Sequence, residues 1–569
     1  MSAPRAALDA ALALAERHGR PGLPVGGFAL ARADGRPRRG IHRLDGRTVI
    51  EPDGHIHRFS PSPDRRLLAV EWAPTADENG VLGIVDAVSG AMRLHPDVRL
   101  RYDTVLWAED SRTLDVVASR DGMLVTLDVE TGETGRSALD PSTRYRLFPG
   151  GASGVRAESS RDGTRLIDRA TGTTLGRWRA LHRAAPLGAG VLVWHDGGID
   201  AVSDDGAVLW RWSDPLARIV DLAVDGDRVV VLAVAQGAGV LLELVDGVEA
   251  SRTSPVLSAD DALTVTAVGA DGGVLRLAVE GPLTPPLIVE RAGHDAPVSP
   301  PSRLPGATAR HDIPADDGTP LTVHVTSPPG AAEGPRPLIL TCYGGFGVPH
   351  LPLFEPTIPA WLAHGGVYAS AQLRGGGERG SAWRDAGRGA RKHRTIADLA
   401  DAARGLVTAG VTTPDRLVLV GASLGGVVAA ACALEHPELC AGFATTASPL
   451  DLLALEEHPL GSLWRDEFGD DGTTEARERL RLLSPLARAE ALPTGTPLPS
   501  YLGIVLDEDT RILARDTHRL AETLRRAGGS ARTWTATGAG HGANEPDALH
   551  ELGLAVLEFA AEVTSGAAR

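Results

Sequence analysis

The stretch at residues 416–433 reads RLVLVGASLGGVVAAACA and predicts a strand, a tight turn and a helix. The apolar run at 417–420 is typical of a buried strand, and the alanine-rich residues that follow favour a helix. Ser423 stands between them with a glycine two positions away on each side, which is the G-x-S-x-G pattern. A turn this sharp leaves no room for side chains, so glycines flank the serine. The stretch therefore predicts an exposed, nucleophilic serine at a helix N-terminus, where backbone amides stabilise negative charge.

Composition excludes several classes of function for this chain. It has 569 residues, of which 43% are hydrophobic and 23% are charged, so it is an ordinary globular protein with room for several domains. A net charge of −16 argues against nucleic-acid and anionic-membrane partners. Three cysteines give no disulfide framework and no metal-ligand spacing, which suits a reducing compartment. We expect a cytoplasmic monomer with no metal, no cofactor, no nucleic-acid partner and no membrane partner.

The pattern of apolar, turn-forming and helix-forming residues changes along the chain and predicts its domains. Residues 1–39 predict an N-terminal helical segment that packs on the C-terminal domain. Residues 40–296 are short strands separated by turn pairs, and the unit Asp-x-x-Ser/Thr-Gly recurs at 86–90, 128–132 and 168–172. A repeat of about 40–45 residues favours a β-propeller, here of six or seven blades. A Pro-rich linker is predicted at 297–306, and strands alternate with helices over 307–569. That alternation indicates an α/β-hydrolase domain with a doubly wound, mostly parallel sheet.

A base and an acid follow Ser423 in the order that such a domain requires. After the strand that ends at Leu506 come three carboxylates at 507–509, and after the last predicted strand comes His541 between two glycines. A histidine placed there can reach a serine as a general base. The amide of Leu424 and the hydroxyl of Tyr343 are candidate donors for an oxyanion hole. The alternatives are a solvated loop histidine and a tyrosine that only packs, and the residues alone do not choose among the three carboxylates.

Five motifs occur in order across the C-terminal domain. They are YGGF at 343–346, LRGGGERGSAW at 373–383, GASLGG at 421–426, SPL at 484–486 and AGHG at 539–542. In these motifs the chain resembles the prolyl oligopeptidase family of serine peptidases, in which a propeller precedes an α/β-hydrolase domain. The resemblance implies a nucleophile, an acid and a base at Ser423, Asp509 and His541. It also implies an oxyanion hole made by Tyr343 and the Leu424 amide, and a cation, Arg511, that binds a substrate carbonyl.

The resemblance also implies a specificity pocket that selects proline. Its residues are apolar and match at Trp464, Phe346, Phe468, Pro449 and Ile512. A neutral, aromatic-lined pocket suits a flat ring without charge. The branch of the family that cleaves after basic residues carries two glutamates instead, and Asp466 stands at one of those positions. Three features depart from the family: a reduced N-terminal extension, a shorter propeller and a phenylalanine at 468 in place of tyrosine.

The resulting hypothesis is a serine endopeptidase that hydrolyses short or unstructured peptides on the carboxyl side of proline. The propeller would gate access to the site. One alternative keeps the triad for a different task, such as an acylaminoacyl or dipeptidyl peptidase, an esterase or a dedicated precursor-maturation protease. The other alternative is an inactive interaction scaffold made of a propeller and a hydrolase domain.

Overall fold

A computed structural model gives the fold of the chain. It describes residues 3–34, 36, 38–75, 78–150, 153–254, 262–271, 274–291, 303–330, 334–541 and 546–565. These residues form a propeller and a hydrolase domain. Most of the linker predicted at 297–306 lies outside the described residues, which resume at 303.

Within these residues, seven small antiparallel sheets form the propeller, so the count of six or seven blades resolves to seven. The first two sheets contain β1 (Phe28–Ala31), β2 (Gly40–Arg43) and β3 (Thr48–Ile50), then β4 (His55–Pro61), β5 (Leu67–Ala73), β6 (Gly80–Asp86) and β7 (Met92–Leu100). The next two contain β8 (Val105–Trp107), β9 (Thr113–Ala118), β10 (Met123–Asp128) and β11 (Thr134–Ala138), then β12 (Arg144–Phe148), β13 (Val155–Ser160), β14 (Gly163–Asp168) and β15 (Thr174–Trp178). The last three contain β16 (Leu181–Leu187), β17 (Gly190–His195), β18 (Gly198–Val202) and β19 (Val208–Trp212), then β20 (Ala217–Asp225), β21 (Arg228–Ala235), β22 (Ala238–Val245) and β23 (Val248–Thr253), then β24 (Thr264–Asp271), β25 (Val274–Gly281) and β26 (Thr284–Arg291).

The repeated Asp-x-x-Ser/Thr-Gly unit makes the turn between the third and fourth strands of a blade. In the second sheet, Oδ1 of Asp86 accepts hydrogen bonds from the amides of Val88 and Ser89, and the amide of Gly90 donates to the Asp86 carbonyl. Gly90 has a φ of +73°, in the region that favours glycine. The sequence predicts only a helix for residues 1–39, whereas β1 already belongs to the first sheet. Strand β1 is four residues long and follows two glycines, so its alternation is too short to stand out.

An eight-stranded sheet forms the centre of the hydrolase domain, in the order β27-β28-β30-β29-β31-β32-β33-β34. Its strands are β27 (Ala307–Pro314), β28 (Pro320–Ser327), β29 (Leu338–Cys342), β30 (Val367–Gln372), β31 (Leu417–Ala422), β32 (Gly442–Thr446), β33 (Ser500–Leu506) and β34 (Ala531–Ala536). Strands β27 and β28 pair antiparallel at one edge, and the other six run parallel. The carboxyl ends of the parallel strands therefore meet at one edge, where the loops that carry function lie.

Helices cover both faces of this sheet. The helices are α1 (Ala3–Ala15), α2 (Thr357–Ala363), α3 (Gly380–Ala386), α4 (His393–Thr408), α5 (Leu424–Glu435), α6 (Arg465–Phe468), α7 (Thr474–Leu483), α8 (Pro485–Glu490), α9 (Arg515–Arg526) and α10 (Pro546–Thr564). One face buries α4, α5, α8 and α9, and the other buries α1, α2 and α10, with Leu8 and Leu12 of α1 fully covered. Every helix in the described ranges is too short or too polar to cross a membrane.

Candidate active site

Ser423 lies on the turn between β31 and α5, with strained backbone angles of φ +53° and ψ −125°. Its amide donates to the carbonyl of Thr446, 2.8 Å away, which ties the turn to β32. A Cβ atom on Gly421 would lie 2.1 Å from the Gly425 carbonyl oxygen, and one on Gly425 would lie 2.4 Å from the Cys342 carbonyl oxygen. Only glycine fits at either position, which accounts for the pattern in the sequence. The strain is typical of a functional site.

Asp509 and His541 meet at the carboxyl edge of the sheet. Asp509 follows β33, and His541 follows β34. Oδ2 of Asp509 lies 2.8 Å from Nδ1 of His541, while Oδ1 accepts hydrogen bonds from the amides of Arg511 and Ile512 at 2.7 and 3.0 Å. The Asp509 side chain is only 2% exposed. A buried carboxylate held by two amides can fix one tautomer of the imidazole, with the proton on Nδ1 and Nε2 able to accept a proton.

The two residues that precede Asp509 make other contacts. Oδ1 of Asp507 accepts hydrogen bonds from the amides of Gly538 and Ala539, at 2.9 and 3.3 Å. The amide of Glu508 donates to the Ala539 carbonyl, 2.9 Å away. Both contacts hold the turn that leads into His541. The carboxylate that contacts the histidine is thus the one that the family resemblance implies.

A cavity of about 180 Å³ opens beside Ser423. Its lining consists of Tyr343, Phe346, Ser423, Leu424, Pro449, Leu460, Trp464, Phe468, Arg511 and His541. No carboxylate is among these described lining residues. Ile512 is not among the described residues that line the cavity; it is buried, and its amide donates to Asp509. Leu460 lines the cavity although the sequence analysis did not single it out, and nothing in its local pattern distinguishes it from a packing leucine.

Asp466 points away from this cavity. Its side chain is 75% exposed, and one of its carboxylate oxygens lies 3.1 Å from Arg388. It sits on α6 between Trp464 and Phe468, which both line the cavity, so neighbours in sequence face different surroundings. Within the described ranges, no group of three His, Cys, Asp or Glu side chains converges as metal ligands do.

The Tyr343 hydroxyl is an un-ionised donor at neutral pH. Burial raises the pKa of Tyr343, and the charge of Glu467 raises it further, while Arg511 acts in the opposite direction. The glycine loop after Tyr343 is fixed from below by Lys392, whose Nζ donates to the Gly344 carbonyl at 3.0 Å and to Glu467 at 2.6 Å. The Lys392 and Glu467 side chains are 2% and 3% exposed. The sequence does not predict this buried pair, because a lysine and a glutamate 75 residues apart carry no local signal.

Arg511 is held by the propeller. Its Nε atom lies 2.8 Å from Oε2 of Glu78, and a second nitrogen contacts the other oxygen of the same carboxylate. Arg101 donates to Glu78 as well, at 2.9 Å, and to the hydroxyl of Thr510 at 3.2 Å. Burial acts to raise the pKa of Glu78, but the hydrogen bonds and charges of Arg511 and Arg101 outweigh it and lower the pKa to about 2. One propeller carboxylate therefore orients a cation that lines the cavity.

The chain resembles known proteins in sequence over its C-terminal part and in structure over its whole length. Residues 352–567 match the model of the prolyl oligopeptidase family. The prolyl endopeptidase of Elizabethkingia miricola is 31% identical over 210 residues, which are 37% of this chain and 29% of the relative. That of Elizabethkingia meningoseptica is 29% identical over 263 residues, which are 43% and 37% of the two chains. These sequence matches thus span about a third of the curated relatives.

Solved structures match the whole architecture. The structure of a prolyl endopeptidase superposes with a TM-score of 0.85 at 20% identity and covers 99% of this chain and 92% of its own. Oligopeptidase B from Leishmania major superposes with a TM-score of 0.82 at 17% identity and covers 98% and 89%. At these identities the structural likeness shows the fold alone. The chain therefore carries a prolyl oligopeptidase family domain at residues 352–567, preceded by a seven-bladed propeller.

Proposed function

We propose that the protein is a serine peptidase that hydrolyses short or unstructured peptides on the carboxyl side of proline. The observation that carries this proposal is that Phe346, Trp464 and Phe468 form one wall of the cavity beside Ser423 and that no carboxylate is among its described lining residues. Proline offers a flat apolar ring with no charge, so such walls can stack on it. A substrate with arginine or lysine at the cleavage site would enter without a counter-charge, which is costly.

The proposed reaction is acyl transfer through Ser423. Its Oγ attacks the carbonyl carbon of the substrate proline while Nε2 of His541 takes the hydroxyl proton. Asp509, 2.8 Å from Nδ1, orients the imidazole and stabilises the imidazolium that forms. The Leu424 amide and the Tyr343 hydroxyl donate to the developing oxyanion. His541 then protonates the leaving amine, and water attacks the acyl-enzyme by the reverse sequence of proton transfers.

The propeller limits access to the site in this proposal. It contacts the hydrolase domain close to the cavity through Glu78, and further away through Gly237, whose carbonyl accepts from Gln372 and whose amide donates to the Glu378 carbonyl. A folded protein would clash with this cover, whereas a short chain can enter once the domains part. Cytoplasmic location and a monomeric state stay predictions from composition.

Cleavage of four matched, blocked peptides tests the proposal. They carry Pro, Ala, Arg or Phe before the scissile bond, and the Ser423→Ala variant is assayed in parallel. We expect the Pro peptide to have the highest kcat/KM and all cleavage to disappear in the variant. Preference for Arg would overturn the pocket assignment in favour of a specificity like that of the basic-residue branch. Cleavage of none of the four would favour the dedicated-protease or scaffold alternatives.

A further inference from the structure

A second cavity, of about 370 Å³, lies between the propeller and the hydrolase domain. Its propeller wall comes from the sheet β16–β19 and the start of β20, and its hydrolase wall comes from Gly347, Gly377 and the α3 region. Four arginines line it: Arg179, Arg218, Arg384 and Arg388. Two tryptophans, Trp194 and Trp212, complete the wall on the propeller side. The proposed reaction uses none of these side chains.

Three of the four guanidinium groups have no ion pair or hydrogen bond among the described residues. Arg179 is exposed, whereas Arg218 and Arg384 are half-buried, and Nε of Arg384 is shielded from solvent without a partner. The pKa of Arg218 is lowered by burial and then by the charge of Arg384, so the two groups repel each other. Like charges held together inside a cavity indicate that an anion belongs between them.

The acids that line this cavity are engaged elsewhere or are too distant to replace that anion. Asp214 pairs with Arg252 at 2.9 Å, and Asp196 lies 2.8 Å from His182. Asp385 lies 3.8 Å from Arg388, whose closer partner is Asp466. Asp196 acts on Arg218 and Arg384 only at longer range. Because these three acids reduce the positive potential, the site suits a singly charged carboxylate better than a doubly charged phosphate.

The second cavity adjoins the one beside Ser423. The two cavities are lined by consecutive residues of one loop, Phe346 on the catalytic side and Gly347 on the other. A Cβ atom on Gly347 would lie 2.9 Å from Cδ of Arg384, so the arginine packs directly on this loop. A peptide that extends from Ser423 past Phe346 and Gly347 would approach these arginines.

We propose that Arg218 and Arg384 form a subsite for a carboxylate of the peptide substrate, either an acidic side chain or the C-terminus, a few residues from the scissile bond. This inference rests on the proposed function and adds a substrate preference to it. Arginine binds a carboxylate with two parallel hydrogen bonds, which are stronger than neutral ones. The subsite therefore favours peptides that carry one negative charge at a defined distance from the proline.

Binding to the Ser423→Ala variant tests the subsite without requiring cleavage. Fluorescent peptides with one proline carry Asp or Asn at each of the four positions on either side, and a second set ends in a free carboxylate or an amide. We expect about tenfold tighter binding of the acid at one side-chain position or at the C-terminus, and the set that responds identifies the source. The preference should disappear when Arg218→Met or Arg384→Met is added and persist with Arg177→Met, an exposed arginine on β15 outside the cavity.

Equal binding of acid and amide at every position and terminus would overturn the subsite, as would a preference that survives both arginine variants. Circular dichroism and thermal unfolding of each variant show whether it is folded, and the two arginine variants test the same prediction independently. Wild-type cleavage of the neutral Pro peptide is measured separately. If the wild type does not cleave this peptide, the proposed function is contradicted. If it cleaves the peptide but binds acid and amide peptides equally, only the subsite is contradicted.

Discussion

The hydrolase domain and the propeller contribute to the candidate site in different ways. The hydrolase domain supplies Ser423, Asp509 and His541 from three loops at the carboxyl edge of one sheet. The propeller is a ring of similar sheets, and at the catalytic cavity it supplies one buried carboxylate, Glu78, which holds Arg511. A change in the first group alters reacting atoms, whereas a change in the second alters how substrate is held. Large losses of kcat are therefore expected from one domain and smaller changes of KM from the other.

The largest effect is expected from Asp509→Asn. The change removes the charge that orients His541, and kcat/KM for the Pro peptide should fall by about 10⁴-fold. Asp507→Asn is the matched control, because its carboxylate binds the amides of the turn before His541 rather than the histidine. We expect a loss of tenfold or less for the control, because the asparagine oxygen can still accept from both amides and only the charge on the acceptor is lost. Equal losses for the two variants would contradict the assignment of Asp509.

Tyr343→Phe should have the next largest effect. Removal of one oxyanion donor lowers kcat by roughly 10²-fold to 10³-fold, with KM nearly unchanged, because the hydroxyl acts on charge that develops during reaction. Steady-state kinetics on the Pro peptide measure both constants. Tyr145→Phe, on β12 of the propeller, should behave as wild type. A raised KM with unchanged kcat would instead mean that Tyr343 only packs against bound substrate.

Glu78→Gln should show what the propeller contributes. The variant keeps the shape of the side chain but removes the charge that holds Arg511, so we expect KM to rise about tenfold while kcat changes less. Arg101→Met should shift KM in the same direction by a smaller factor, since Arg511 keeps its own contacts with Glu78. Glu249→Gln, in an exposed pair with Arg252, should leave both constants unchanged. A fall in kcat as large as that of Tyr343→Phe would contradict the claim that the propeller affects substrate binding rather than the chemical step.

The smallest effect concerns the N-terminal helix. His550 on α10 lies 2.8 Å from both Asp9, in the middle of α1, and Glu16, just beyond the end of α1. Burial acts to lower the pKa of His550, but the hydrogen bonds to Glu16 and Asp9 outweigh it and raise the pKa. The resulting stabilisation is fully present below the ordinary value of about 6.5 and is lost as pH rises through the raised value.

Hydrogen exchange of residues 3–15, corrected for the intrinsic effect of pH, measures this change. Protection of α1 should decrease as the medium becomes more alkaline than neutral, and His550→Gln should remove the pH dependence. Protection that increases over the same interval, or an identical profile for the variant, would contradict the role of His550.

Local patterns made the hydrolase domain easier to predict than the contacts around it. Gly421 and Gly425 are needed because backbone atoms approach to within 2.4 Å of where a Cβ would lie. The turn is therefore visible in the sequence as a glycine pattern. The mostly parallel sheet and the loops of Asp509 and His541 follow from the alternation of strands and helices. Contacts between residues far apart in the chain have no such local pattern. The Glu78–Arg511 and Lys392–Glu467 pairs were therefore not predicted.

The specificity pocket was predicted only in part, because the position of a residue in the sequence does not give the direction in which its side chain points. Phe346, Trp464 and Phe468 line the cavity, whereas Ile512 is buried but is not among the described lining residues, and Asp466 turns out to Arg388. Strand β1 was missed for a related reason, since four residues hold too little alternation to be distinguished from a loop.

The most direct test of the central claim is covalent labelling of the native chain with two fluorophosphonates, one carrying a proline mimic and the other an arginine mimic. Peptide mass spectrometry then locates the adduct, and the rates of the two probes are compared. We expect a single adduct on Ser423, formed at least tenfold faster with the proline mimic. No adduct, an adduct on another residue, or a faster reaction with the arginine mimic would contradict the claim that Ser423 is a nucleophile beside a proline pocket.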